Sequence, residues 1–246
     1  MLGGLLGLGG AEFRLPVLVA LFAYPLRRAI PLNLAVSFVT VLVAAPSRWW
    51  LANQPPPADA TPVALAMIVG GMIGAGLSAR YVGSVSEERL HTVIRWLLIG
   101  IGVLLIAESV TPWESHGLPL GHVGRALAAC AAGVGIGAVS TLLGVAGGEL
   151  IIPTLVFAFA VPIKEAGTLS LLISVPTMVV GLAHHRALGG FRGVAGIGRV
   201  VTPMALGTAV GGAAGALLVA FVPAGAVKIL LGAVLIASAL RVFKVR

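Results

Sequence analysis

The stretch "GLGGAEFRLP", residues 7–16, decides how this chain is read, because it returns as "GVAGGELIIP" at 144–153. Each copy sets paired glycines ahead of an acidic residue and a proline inside a long apolar segment. Shifting the chain by 137 residues lays one half on the other without a gap. Gly7 then meets Gly144, Gly10 meets Gly147, Glu12 meets Glu149 and Pro16 meets Pro153. Beyond the motif, Phe22, Pro25, Ala29, Leu32 and Leu34 meet Phe159, Pro162, Ala166, Leu169 and Leu171. Ser37, Thr40, Gly70 and Gly74 meet Ser174, Thr177, Gly207 and Gly211. Matched Glu, Ser, Thr and Pro at one offset identify an internal duplication.

The solvent of this duplicated chain follows from its composition. Of 246 residues, 59% are hydrophobic and 10% charged, against roughly 45–50% and about 25% in soluble domains. Apolar runs recur at roughly 1–24, 31–51, 62–82, 92–110, 126–160, 166–183, 198–221 and 225–243. About 20 residues of helix cross a bilayer. An open sheet would leave backbone groups unpaired in lipid, and barrel strands would alternate polar with apolar. The expectation is an all-α polytopic membrane protein of about eight transmembrane helices. They form two four-helix repeats, 1–110 and 126–246, joined by a loop at 111–125. An even number of passes makes those repeats parallel, related by an axis along the membrane normal.

Several function classes drop out. The formal charge of +8 sits mainly at segment ends, in "PLRRAIP", "HHRALGGFRG" and "RVFKVR", where it anchors lipid head groups rather than nucleic acid. Arginine and lysine are nearly balanced between alternate loops, so orientation stays open. Cys130 stands alone and matches no metal-ligand spacing. No basic n-region precedes "MLGGLLGLGG", so no cleavable signal peptide is expected. Glycine runs without a strand–helix context do not make a dinucleotide site, and no Walker lysine, H-E-x-x-H or G-x-S-x-G motif occurs. The expectation is a non-enzyme without cofactor or metal.

The motif glycines Gly7, Gly9, Gly10, Gly144, Gly147 and Gly148 permit unusual backbone angles. Pro16 and Pro153 suit the first turn of a helix. Together they read as a break in each span, with a half-helix starting near the proline and offering amide donors to an anion. A kinked, tightly packed span is the plainer reading. Charge at mid-bilayer costs on the order of 2.5–3.5 kcal/mol or more, so Glu12, Arg14 and Glu149 must pair or face a wet cavity. The glutamates serve proton exchange and gating, or cap exposed amides. Arg14 attracts an anion or neutralises Glu12, and repeat two has Ile151 in its place.

Asn33, Ser37 and Thr40 recur at i, i+4 and i+7 on one helix face, as do Ser170, Ser174 and Thr177. Such hydroxyl stripes either pack helices or form facing walls of a polar passage. Gly70, Gly74, Gly207, Gly211 and Gly215 are small-xxx-small packing positions. His184, His185 and Arg186, with Arg192 nearby, form an interfacial cluster or an anion vestibule.

On "GLGGAEFRLPVL" (7–18) and "GVAGGELIIPTL" (144–155), followed by "AIPLNLAVSF" (29–38) and "AGTLSLLISVPT" (166–177), the chain resembles the TauE/SafE-type sulfite exporters over nearly its whole length. The resemblance implies a secondary transporter of sulfite or related organosulfur anions across the bacterial inner membrane, without ATP. The family motif continues into apolar residues where Glu12, Arg14 and Glu149 stand here, which marks a subgroup. Met1 aligns with Ala138, so repeat one lacks a counterpart of 125–137. Either its first half-helix is short or the true start lies upstream. The expected function is a small-oxyanion carrier, with protons as the coupling ion. The rivals are a passive anion channel and a non-transporting scaffold.

Overall fold

The computed structural model describes residues 1–11, 14, 17–18, 22, 24–81, 87–110, 117–191 and 197–241. Among these the chain is helical, without strands. The α-helices are α1 (Leu2–Leu6), α2 (Leu26–Pro46), α3 (Thr61–Tyr81), α4 (Glu87–Val110) and α5 (His122–Leu143). They continue as α6 (Gly148–Pro153), α7 (Ile163–Ala187), α8 (Ile197–Leu218) and α9 (Ala224–Arg241). Among the described residues, five helical spans are long and apolar enough to cross a membrane, beginning at Arg28, Ala58, His122, Ile163 and Val201. Exposed Leu206, Val210 and Phe221 are what lipid-facing surfaces require. This is the build of a polytopic membrane protein.

Prolines shape two helix ends. Pro46 closes α2 and Pro153 closes α6, and each is followed by a π turn, Ser47–Leu51 and Thr154–Ala158. A proline has no N–H for the i−4 carbonyl and its ring crowds that carbonyl, so the widened turn relieves both. Pro25 and Pro162 precede α2 and α7 with matching angles, φ −56° and ψ 141° against φ −56° and ψ 142°.

The segment 126–160, expected as one pass, holds one helix of spanning length, His122–Leu143, and a shorter apolar one, Gly148–Ala158. Its first helix, α5, ends at Gly144, and α6 starts after Gly147. The chain then turns back: Leu118 N donates to Ala158 O at 2.8 Å and Arg125 Nη2 to Phe159 O at 3.2 Å, beside the start of α5. A proline-started half-helix is also corrected. The new helix starts at Gly148, five residues ahead of Pro153, because Gly147 in the left-handed region (φ 78°) already redirects the chain.

Equivalent helices run antiparallel. At one end of the α2–α7 pair, Arg48 lies against Gly167; at the other, Pro31 lies against Gly190. In the α4–α9 pair, Ser109 Oγ donates to Gly225 O at 3.0 Å, while Gly102 packs on Gly232. An axis along the helices would leave such partners parallel, so the expected parallel relation is overturned. The parity argument failed because the fifth apolar segment was counted once.

The closest packing is between α3 and α5, where Gly70 and Gly74 lie on the Cys130 and Val134 carbonyls, and Gly133 and Gly137 on Met67 and Gly71. Any Cβ at these positions would strike backbone, so Gly70 and Gly74 pack helices as expected. Gly211 and Gly215 lie against Met1 at the start of α1, whereas Gly207 has nothing within 4 Å among the described residues and packs on no helix there. A half-buried ion pair, Lys228 Nζ to Glu108 Oε1 at 2.7 Å, fastens α9 to α4.

Candidate functional site

Two breaks in the chain make the site. Gly7 ends α1 at φ 82° and Gly144 ends α5 at φ 67°. This left-handed backbone suits glycine, and each glycine is also jammed against a carbonyl of the other half. A Cβ on Gly7 would meet Gly167 O, and one on Gly144 would meet Ile30 O. The breaks touch each other as well, Gly9 against Ala146 and Gly148 against Leu8 and Gly7.

The hydroxyl stripes of α2 and α7 converge on these breaks, near the middle of their helices. Asn33 Nδ2 donates to Gly144 O at 3.1 Å and to Ala11 O at 3.2 Å. In the other half, Ser170 Oγ donates to Gly7 O at 3.1 Å. Ser174 Oγ donates to Ala146 O at 2.8 Å. Thr40 and Thr177 donate to the carbonyls one turn back, Val36 O and Ile173 O, both at 3.1 Å. A helix break in lipid leaves carbonyls without partners. Much of both stripes is therefore occupied with capping them.

Arg14 brings a charge into this frame. Its Nη2 reaches Gly9 O and Ser37 Oγ, both at 2.5 Å, its Nη1 Thr40 Oγ1 at 3.2 Å, and its Nε Asn33 Oδ1 at 3.5 Å. These four acceptors are neutral oxygens. Charge-assisted hydrogen bonds stabilise by roughly 1.5–3 kcal/mol each, enough to hold a guanidinium that the bilayer alone would reject. Gly10 (φ 67°) lets the chain pass beside that guanidinium.

In repeat two the corresponding space is apolar. Ile151, buried, replaces the arginine. Together with Ser140, Ala146, Ile173 and Thr177 it borders a cavity of about 10 Å³, room for one water. Glu149 is buried in the first turn of α6, where a carboxylate complements the helix dipole. Glu12 and Pro16 lie outside the described residues.

The structure thus gathers Gly9, Gly10, Arg14, Asn33, Ser37 and Thr40 with Gly148, Ser170, Ser174 and Thr177 around one junction. Gly7 and Gly144 act as its hinges, and Gly147 starts the returning helix. His185 Nε2 shares a hydrogen bond with Thr141 O at 3.1 Å, tying the histidine cluster to the end of α5. One buried charge was missed: Arg48, in the π turn after Pro46, is wholly buried against Gly7 and Gly167. Its signal was present in the offset of 137, which pairs Arg48 with His185.

Comparison with known proteins agrees with the motif reading. A family model described as "Sulfite exporter TauE/SafE" matches residues 1–242. A relative from Bacillus subtilis (strain 168), described as "Probable membrane transporter protein YunE", is 27% identical over 115 residues. That match covers 44% of this chain and 38% of the relative. No solved structure matches the chain.

Proposed function

The chain belongs to the TauE/SafE sulfite exporter family, and from that premise we propose a secondary carrier of small oxyanions, sulfite or a related organosulfonate, in the bacterial inner membrane. The observation that carries this reading is Arg14, a permanent cation whose guanidinium meets Gly9 O, Ser37 Oγ, Thr40 Oγ1 and Asn33 Oδ1 where the two broken helices come together. A guanidinium offers an entering oxyanion a planar fork of charge-assisted hydrogen bonds. The anion also leaves readily, since Ser37 and Thr40 are there to take the arginine back.

The proposal includes the architecture. Residues 1–110 and 126–246, joined through 111–125, are two copies of one unit. Antiparallel packing of α2 on α7 and of α4 on α9 supports an inverted relation, with the two-fold axis in the membrane plane. Carriers built this way bind near the midplane where broken helices meet and expose the site by rocking one part against another. The cavity beside Ile151, about 10 Å³, has room for one water and none for a polyatomic anion, which suits a closed state between two open ones.

Glu12 and Glu149 are assigned to proton coupling, each within two residues in sequence of its motif glycines. An ionised carboxylate repels the anion, so protonation admits proton and anion together. The test is radiolabelled sulfite flux in proteoliposomes, with and without a pH gradient, for the wild type and the Glu12→Gln/Glu149→Gln variant. Carriage coupled to protons gives flux that follows the gradient in the wild type and ignores it in the folded variant. A channel shows gradient-independent flux in both. Absence of protein-dependent flux of sulfite, thiosulfate and sulfoacetate leaves the scaffold reading standing.

A further inference from the structure

Arg48 is the most deeply buried charge among the described side chains, at 0% exposure. Its Nη2 donates to Lys164 O at 2.9 Å, while Nε and Nη1 meet no acceptor among the described residues. Burying guanidinium N–H groups without acceptors costs more than leaving any neutral group so. Arginine is retained in such places where planar donors must meet an oxyanion. The surroundings are shaped to admit it. Gly167 lies against Nη1 and Nη2, and Gly7 against Nη1; a side chain at either would expel the guanidinium. The first turn of α7, which holds Lys164, adds a helix N-terminus whose dipole favours negative charge.

We infer that Arg48, at the junction of Gly7 and Gly167, is a second binding station for the small oxyanion, at one end of the path whose centre is Arg14. The inference takes its ligand from the carrier reading above. Arg48 follows Ser37 by eleven residues and lies in the π turn that continues from the end of α2, so one continuous stretch of chain carries both stations. The same Gly7 that breaks α1 beside the central site forms the floor of the outer one. An anion leaving Arg14 on this side passes to a guanidinium with donors to spare. The equivalent position on the other side is His185, hydrogen-bonded to Thr141 O, so the two ends of the path differ in charge.

The test is sulfite concentration dependence in proteoliposomes for Arg48→Gln and Arg48→Lys. Arg48→Gln raises KM on the order of tenfold, with kcat within about twofold, as loss of a charge-assisted contact predicts. Arg48→Lys recovers part of the loss, since a point charge remains without the fork. An unchanged KM in a variant that melts like the wild type overturns the station. Should Arg48→Gln fail to fold, Gly167→Ala keeps the charge, displaces the guanidinium and raises KM in the same direction; a wild-type KM there overturns the proposal as well.

If the wild type moves no sulfite, the carrier reading fails and a binding measurement decides Arg48 alone. In detergent without anionic lipid, sodium sulfite raises the melting temperature over sodium chloride at equal ionic strength, and Arg48→Gln halves that rise or removes it. A rise retained in full by Arg48→Gln overturns the station. So does stabilisation by anionic phospholipid with no response to sulfite.

Discussion

The two glycine motifs share a backbone and differ in what fills the space beside it. Each ends a helix on a left-handed glycine, and each receives a hydrogen bond from the opposite half, Asn33 to Gly144 O and Ser170 to Gly7 O. Then they part. The carbonyl of Gly9 is capped by Arg14, whereas its equivalent at Ala146 is capped by Ser174. Where the arginine lies in one copy, the other has Ile151 and a cavity the size of one water. The hydroxyls and glycines are the common scaffold of a broken helix pair, and the charge is what one copy adds. On the proposed carriage, binding power and mechanical symmetry are thereby separated.

Making the copies alike in charge is the harshest test. Ile151→Arg places a second guanidinium where the wall is apolar and the free space is about 10 Å³. An uncompensated buried charge costs about 3–5 kcal/mol, so little folded protein is expected, as read by thermal unfolding in detergent. A well-folded Ile151→Arg would mean that the two sides are interchangeable.

The reverse change removes the charge from repeat one. Arg14→Gln keeps a donor for Gly9 O but loses the cation, and sulfite flux falls on the order of 100-fold, equivalent to about 2.7 kcal/mol. The corresponding position in repeat two, changed by Ile151→Leu, leaves flux within about twofold because volume is conserved. Equal losses at the two positions would move the binding site onto the symmetric scaffold.

How much of this was legible follows from the kind of signal each residue leaves. The offset of 137 exposed Gly7 with Gly144 and Ser37 with Ser174, since matched polar residues in an apolar chain are informative. Helix starts recur at the same offset in the structure, at Leu26 and Ile163 and at Glu87 and Ala224, where the apolar runs alone began at 31 and 166 and at 92 and 225. Hydropathy hid the return of the chain at Gly147, because α5 and α6 are both apolar and no polar residue marks the turn between them. That one hidden turn reversed the predicted relation of the halves. The partners of Asn33 and Ser170 were illegible for another reason: they are backbone carbonyls in the opposite half, and a carbonyl carries no residue identity.

Those cross-ties give the next comparison. Asn33→Ala removes donors to Gly144 O and Ala11 O and one acceptor of Arg14. Ser170→Ala removes a donor to Gly7 O. Leaving buried carbonyls unpaired costs about 1–3 kcal/mol each, so Asn33→Ala lowers stability by about 2–3 kcal/mol and Ser170→Ala by about 1. Melting temperatures in detergent rank the two, and the reverse order would show that Ser170 holds the halves together.

The mildest change compares the two serines one turn further along. Ser174→Ala takes the cap from Ala146 O, but Ala146 lines the cavity with room for one water. A water there makes the bond nearly as well at a modest entropic cost, so stability falls by about 1 kcal/mol or less and flux is barely altered. Ser37→Ala costs no backbone cap, since Arg14 holds Gly9 O. It loosens the guanidinium instead and raises the KM for sulfite by about two- to threefold. If Ser174→Ala has the larger effect on KM, the anion contacts the copy without the arginine, and the division between scaffold and charge drawn from these motifs fails at its most sensitive point.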